Sequence, residues 1–175
     1  MLVSHSGQDS LAEPVHGQVA DAAGEDAVSA TRILAAARAE AEHSGLGFAG
    51  QVDPEEAWTL FTMGVAVIVD VRTTEERTFV GYVPDTLHVA WATGTALNRN
   101  PRFVRELEAK AGKDRVILLL CRSGKRSHLA AEAATKAGLR NVFNIREGFE
   151  GDLDERQQRN RINGWRHRAL PWIQN

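Results

Sequence analysis

Apolar positions along the chain fall into two kinds of pattern. Residues 66–71 (AVIVDV), interrupted only by Asp70, and 116–120 (VILLL) are short apolar runs rich in branched side chains, as expected of strands buried on both faces of a parallel sheet. Weaker runs of the same kind lie at 87–90 and 142–145. Between them stand helix-favouring stretches at 74–79 and 101–111, and one from Lys125 or Arg126 to Ala137 that Gly138 closes. Strand and helix in alternation predict an open, mainly parallel α/β sheet with helices on both faces. In such sheets ligands bind at the carboxyl ends of the strands.

Ahead of this alternation lies an N-terminal helical extension. Residues 1–26 are rich in Ser, Gly, Asp, Ala and His without an apolar period, which predicts a disordered or weakly ordered lead. Residues 28–43 (VSATRILAAARAEAEH) favour a helix whose apolar face is mostly alanine, with Ser44 and Gly45 as its stop. Such a helix either packs on the domain or supports a homodimer, and the pattern leaves both open. Asp53 and Pro54 then open a second helix as N-cap and first helical residue, running to about Met63. The expected division is an extension at 1–47 and a domain at 48–175.

Composition narrows the function classes. A chain of 175 residues with 43% apolar and 25% charged residues has enough apolar sequence for one domain with a core. A formal charge of −2 argues against bulk nucleic-acid binding. There is no basic start followed by an apolar core and no apolar stretch long enough to span a bilayer, so the expectation is a cytoplasmic protein without a membrane partner. The six histidines show no metal-ligand spacing, and the single cysteine excludes an internal disulfide, a CxxC zinc site and a two-cysteine relay. Any sulfur chemistry must hand over to an external partner.

That cysteine, Cys121, follows the apolar run 116–120 and precedes Arg122, Ser123, Gly124, Lys125, Arg126 and Ser127. A lone cysteine at a strand end is usually a small core residue. Here three cations and a glycine crowd around it, which makes a poor core and a good anion pocket. A loop entering a helix also aims backbone N–H groups and the helix N-terminus at the sulfur, and this favours a reactive thiolate.

Several ordered motifs now carry a resemblance. Asp70-Val71-Arg72-Thr73-Thr74-Glu75-Glu76-Arg77, then Gly81-Tyr82-Val83-Pro84 and Leu87-His88-Val89, resemble the "DVR…E…GHIPGAINI" opening of a rhodanese domain. The loop CRSGKRS resembles the family's CRxGxRS active-site loop, and Ala130, Ala131, Ala134, Gly138, residues 142–145, Glu147 and Gly148 resemble its close. The resemblance runs over roughly residues 51–174.

It implies a sulfurtransferase. Cys121 would take a sulfane sulfur from a small donor anion, thiosulfate or a persulfide, and pass it to cyanide, a thiol or a protein acceptor. Residues 122–127 would cradle the anion, Asp70 and Arg72 would support the loop as an ion pair, and no metal or organic cofactor would be required. Glu75 and Glu76 read as first-turn acids favouring a helix dipole.

The chain departs from the family's usual pattern at Tyr82, where many relatives have histidine, and at 152–163, which reads as an insertion before Gly164-Trp165. That insertion reads as a solvated loop or as a rim that chooses the acceptor. Trp91 with Asn98, Arg99, Asn100 and Pro101 reads as core or pocket wall. A cysteine-dependent phosphatase or arsenate reductase is the competing enzyme class, but those loops place five residues between cysteine and arginine, whereas four separate Cys121 from Arg126. A non-catalytic binding module is the third reading.

Overall fold

The computed structural model describes residues 17–174, with side chains from residue 24 onward. Helix α1 (Gly17–Ser44) leads into strand β1 (Gly50–Val52), helix α2 (Pro54–Thr62), strand β2 (Ala66–Asp70), helix α3 (Thr74–Val80) and strand β3 (Leu87–His88). A small hairpin follows, strands β4 (Ala92–Thr93) and β5 (Asn98–Arg99), then helix α4 (Phe103–Ala111), strand β6 (Val116–Leu120), helix α5 (Lys125–Lys136) and strand β7 (Val142–Ile145). The five strands of the main sheet pair in parallel in the order β1-β7-β6-β2-β3.

Period-two alternation divides each central strand between two cores. Ile117, Leu119 and Cys121 face the core shared with α4 and α5, as do Val67, Val69 and Val71. Leu118, Leu120, Ala66 and Ile68 face the core shared with α1, α2 and Trp165. Both faces are covered, as the apolar runs predict. Because β6 lies in the middle of the sheet, Cys121 emerges at the centre of its carboxyl edge.

Helices begin where capping chemistry places them. Glu56 accepts a hydrogen bond from the Asp53 N–H at 2.9 Å, with Pro54 at the first helical position of α2. At α3 the bonds are reciprocal: the Thr73 hydroxyl accepts from the Glu76 N–H at 3.2 Å, and the Glu76 carboxylate from the Thr73 N–H at 3.0 Å.

Three expectations change. The lead predicted for 1–26 is helical from Gly17 onward, while residues 1–16 lie outside the described residues. Strand β1 was not predicted, since three residues containing one glycine and one glutamine carry no apolar run. Nor was the β4–β5 hairpin, whose strands are two residues each. The alanine face of α1 lies on its own chain: Ala30 and Ala37 are buried in the core that holds Phe143, and Arg38 donates to the Asn141 side chain at 2.8 Å. Arg146, immediately after β7, pairs with Glu40 of α1 at 2.9 Å.

Candidate functional site

Strand β6 ends at Leu120, and the chain turns through Cys121–Gly124 into α5. Gly124 occupies the N-cap with φ +82°, a left-handed conformation that a side chain resists. None of the backbone N–H groups of residues 122–126 donates to an acceptor among the described residues. These are the orphan donors of a loop and a helix N-terminus, and they favour an anion. Cys121 is buried, 1% exposed, and its Sγ accepts a hydrogen bond from the Ser127 hydroxyl at 3.1 Å.

The back of this loop is held by the segment after β7. The Cys121 carbonyl accepts from the Phe149 N–H at 2.8 Å, and the Arg122 carbonyl from Glu150 at 2.9 Å and Gly151 at 3.2 Å. Gly148 sits so close that a Cβ there would lie 2.5 Å from the Cys121 carbonyl oxygen and 2.6 Å from the Ser123 nitrogen. Glu147 anchors the same turn, accepting from the Gly164 N–H at 2.9 Å and from Arg168 Nε at 2.7 Å. Burial opposes the Glu147 charge, but Arg168 and the Gly164 N–H outweigh it and hold its pKa below the ordinary glutamate value.

The three cations of the loop have different partners. Arg126 grips Glu76 as a fork, with N···O distances of 2.7 and 2.6 Å. That fork raises the Arg126 pKa, and the nearby charge of Cys121 adds to the effect. Burial disfavours the Glu76 charge, yet the Arg126 bonds and the Thr73 N–H leave its pKa below the ordinary value. Arg122 and Lys125 are exposed and have no carboxylate partner among the described residues. They are the loop's uncompensated charges, whereas Arg126 is largely neutralised by its partner.

Asp70 and Arg72 form a fully buried pair beside the loop. Arg72 donates through Nε and Nη2 to the carboxylate at 3.0 and 2.7 Å and through Nη2 to the Gly81 carbonyl at 2.8 Å, and Arg77 adds a bond to Asp70 at 2.9 Å. Burial pushes the Asp70 pKa up, and the two arginines more than offset it, so the carboxyl stays below its ordinary value. The Arg72 guanidinium lies over the Phe149 ring at 4.1 Å, which ties this pair to the residue whose N–H holds the Cys121 carbonyl.

Residues 53–155 match the family model described as the rhodanese-like domain. The chain belongs to the rhodanese-like domain family. Among relatives, an uncharacterized protein of Rickettsia prowazekii is 38% identical over 111 residues, spanning 61% of this chain and 82% of its own length. The thiosulfate sulfurtransferase GlpE of Pseudomonas savastanoi pv. phaseolicola is 30% identical over 101 residues, spanning 57% of this chain and 83% of that protein. In three dimensions the chain is similar to the crystal structure of Rv0390 from M. tuberculosis, with 39% identity and a TM-score of 0.66 over 73% of this chain and 99% of that one. The family includes sulfurtransferases.

Within this rhodanese-like domain, the Arg77 guanidinium lies over the Tyr82 ring at 4.5 Å. Trp91 is buried in the core that contains Cys121, edge-on to Phe103 and covered by Arg99. The 152–163 segment is held by local bonds: Asp154 accepts from the Arg156 and Gln158 N–H groups, and Arg159 donates to the Gly151 carbonyl at 2.5 Å. The Gly151 N–H in turn donates to the Arg122 carbonyl, so this segment borders the Cys121 loop. Among the described residues no group of three His, Cys, Asp or Glu side chains could hold a metal, and no helix is long and apolar enough to cross a membrane.

Two site residues escaped the sequence reading. Glu76 looks like a helix cap, and nothing local announces its fork to an arginine 50 residues away. Asn144 left a signal: it is the one polar residue in the run VFNI, and it accepts from the Ser127 hydroxyl at 2.6 Å.

Proposed function

We propose that the chain is a sulfurtransferase that carries sulfane sulfur on Cys121. The Cys121 thiolate attacks the outer sulfur of a donor such as thiosulfate. The Sγ–S bond forms as the S–S bond of the donor breaks, and sulfite leaves with that bond's electron pair. The persulfide anion that remains is then attacked at its outer sulfur by cyanide or a thiolate. Thiocyanate or a new persulfide departs, and the Cys121 thiolate is restored. Electrons balance in both steps without a further oxidant or reductant.

The observation that supports this reading most is the set of unbonded N–H groups of residues 122–126 around a buried cysteine sulfur. Thiosulfate, sulfite and the persulfide are all anions, and fixed N–H donors in a site screened from water stabilise each of them. Arg122, Ser123, Gly124, Lys125, Arg126 and Ser127 form the cradle, with Arg122 and Lys125 drawing the anion in. Asp70 and Arg72 act behind it, through Phe149. The relative named as a thiosulfate sulfurtransferase supports thiosulfate as donor.

Intact mass after incubation with thiosulfate tests the reading. The wild-type chain gains one sulfur, Cys121→Ser does not, and cyanide discharges the gain as thiocyanate. A wild-type chain that never gains sulfur from thiosulfate or from a small-molecule persulfide would overturn it.

A further inference from the structure

Ser127 has one hydroxyl proton and three acceptors within reach: Cys121 Sγ at 3.1 Å, Asn144 Oδ1 at 2.6 Å and the Gly124 carbonyl at 3.2 Å. Ser127 and Asn144 are both buried. Beyond them Asn144 Nδ2 donates to Gln51 Oε1 at 2.9 Å, the two residues being direct partners in the β1–β7 register. Gln51 is half-buried at the edge of a cavity of about 400 Å³, between the first turn of α5 and the ends of β1 and β7, which Lys125 and His128 also line. A continuous chain of hydrogen bonds therefore runs from the sulfur to this cavity.

The chain has two self-consistent directions. When the sulfur carries a proton, S–H donates to Ser127 Oγ, Ser127 donates to Asn144 Oδ1, and Asn144 Nδ2 donates to Gln51 Oε1. When the sulfur is an anion, Ser127 adds a donor to the backbone N–H groups of the loop by turning its proton inward. Two oxygens would then face each other at the 2.6 Å separation of Ser127 Oγ and Asn144 Oδ1 with no proton between them, which is unfavourable for a buried pair. Turning the Asn144 amide over restores the bond, with Nδ2 now donating to Ser127, and the Gln51 amide turns to donate Nε2 to Asn144 Oδ1. The only proton lost is the thiol's own.

We propose that Gln51 and Asn144 are positioning residues that act through Ser127: their amides form a reversible relay whose direction follows the charge on Cys121, so the hydrogen-bonding preference at Gln51 sets how readily the sulfur is held as an anion. The relay deepens the persulfide reading and rests on it for its catalytic meaning. Other charges also bear on the sulfur and on Gln51: Arg122 and Lys125 on the loop, His128 on α5, Glu147 after β7, and Arg146, which donates to the Gln51 carbonyl at 3.3 Å and pairs with Glu40 and Asp53, together with the Arg126–Glu76 and Arg72–Asp70 pairs. A test must separate the relay from their Coulombic background.

The test is the pH dependence of Cys121 alkylation by iodoacetamide, measured with no sulfur donor. Gln51→Glu can only accept, which locks the outward direction and shifts the half-maximal pH up by about one unit, roughly a tenfold change in thiolate population. Gln51→Lys can only donate and shifts it down. Each substitution is repeated with Ser127→Ala, which cuts the relay while leaving the charge at residue 51 in place. Shifts that collapse in the Ser127→Ala background support the relay. Equal shifts in both backgrounds, or none in either, overturn it. Because alkylation reads the thiol alone, the relay and the sulfur-transfer reading can fail separately.

Discussion

Gly148→Ala should damage sulfur transfer far more than it damages the fold. The backbone there has φ +66°, where alanine costs roughly 1–2 kcal/mol. The new Cβ would also meet the Cys121 carbonyl oxygen at 2.5 Å and the Arg122 carbon and Ser123 nitrogen at 2.6 Å. All three are backbone atoms, so no side chain can rotate away, and reaching an ordinary contact of 3.4 Å requires a displacement of 0.9 Å (3.4 − 2.5). Forcing that much volume into a packed site adds roughly 1–3 kcal/mol, for a total loss near 2–5 kcal/mol. A shift of about 1 Å at a reacting group is enough for a rate loss on the order of 100-fold. Urea unfolding and thiosulfate:cyanide turnover measure the two effects. Gly64→Ala is the control: φ is +70° with nothing within 4 Å of the added Cβ, and Gly64 precedes β2, at the end of the sheet remote from Cys121. It should lose roughly 1–2 kcal/mol and keep wild-type turnover. Gly148→Ala with wild-type kcat/KM would refute the claim that the 148–151 segment positions the Cys121 loop for the proposed sulfur transfer.

Other outcomes follow from the charges. Asp70→Asn should cost about 3–5 kcal/mol in urea unfolding, because it leaves the buried Arg72 guanidinium uncompensated, while Asp70→Leu with Arg72→Met should recover most of that loss. Folded pKa values of Asp70 and Glu76 lie below their ordinary 3.8 and 4.5. Their stabilisation is therefore fully present above those ordinary values and is lost as pH falls through the depressed ones. Acid titration of stability in Glu76→Gln should show a shallower decline below pH 4.5 than in wild type. Reversing Arg122 and Lys125 to glutamate should lower kcat/KM for thiosulfate and flatten or invert its salt dependence, since these are the uncompensated charges that steer a dianion. Discharge of a preformed persulfide by a neutral thiol should change much less.

Strand β6 was legible because burial on both faces writes an unbroken apolar run, and 116–120 is one. The loop after it was legible because anion binding needs glycine and cations packed tightly in sequence. Its supports were not. Glu76 meets Arg126, Gln51 meets Asn144, and Gly148 presses on Cys121 only after long stretches of chain have folded between them. Such pairings leave no local period. The N-terminal helix was foreseen at 28–43, yet its start was missed, because residues 17–27 carry small and polar side chains that mark no apolar face. The buried Asn144 shows what was recoverable: a polar residue inside an apolar strand demands a partner, although only the fold could supply Ser127.

The attachment of the Cys121 loop to residues 148–151 also sets an order of events during synthesis. Cys121 leaves the ribosome before the segment that fixes its carbonyl, and Gly148 is itself held by the Trp165 N–H at 2.8 Å. Helix α1 emerges first but must wait for Arg146, 106 residues after its partner Glu40, to close that ion pair. A nascent chain that has just exposed Cys121 therefore carries the thiol without its completed support. Closure of a loop this long is slow compared with local helix formation, so the thiol gains its support only once residues 148–165 have been made, and a product truncated before them would be left with an unsupported thiol.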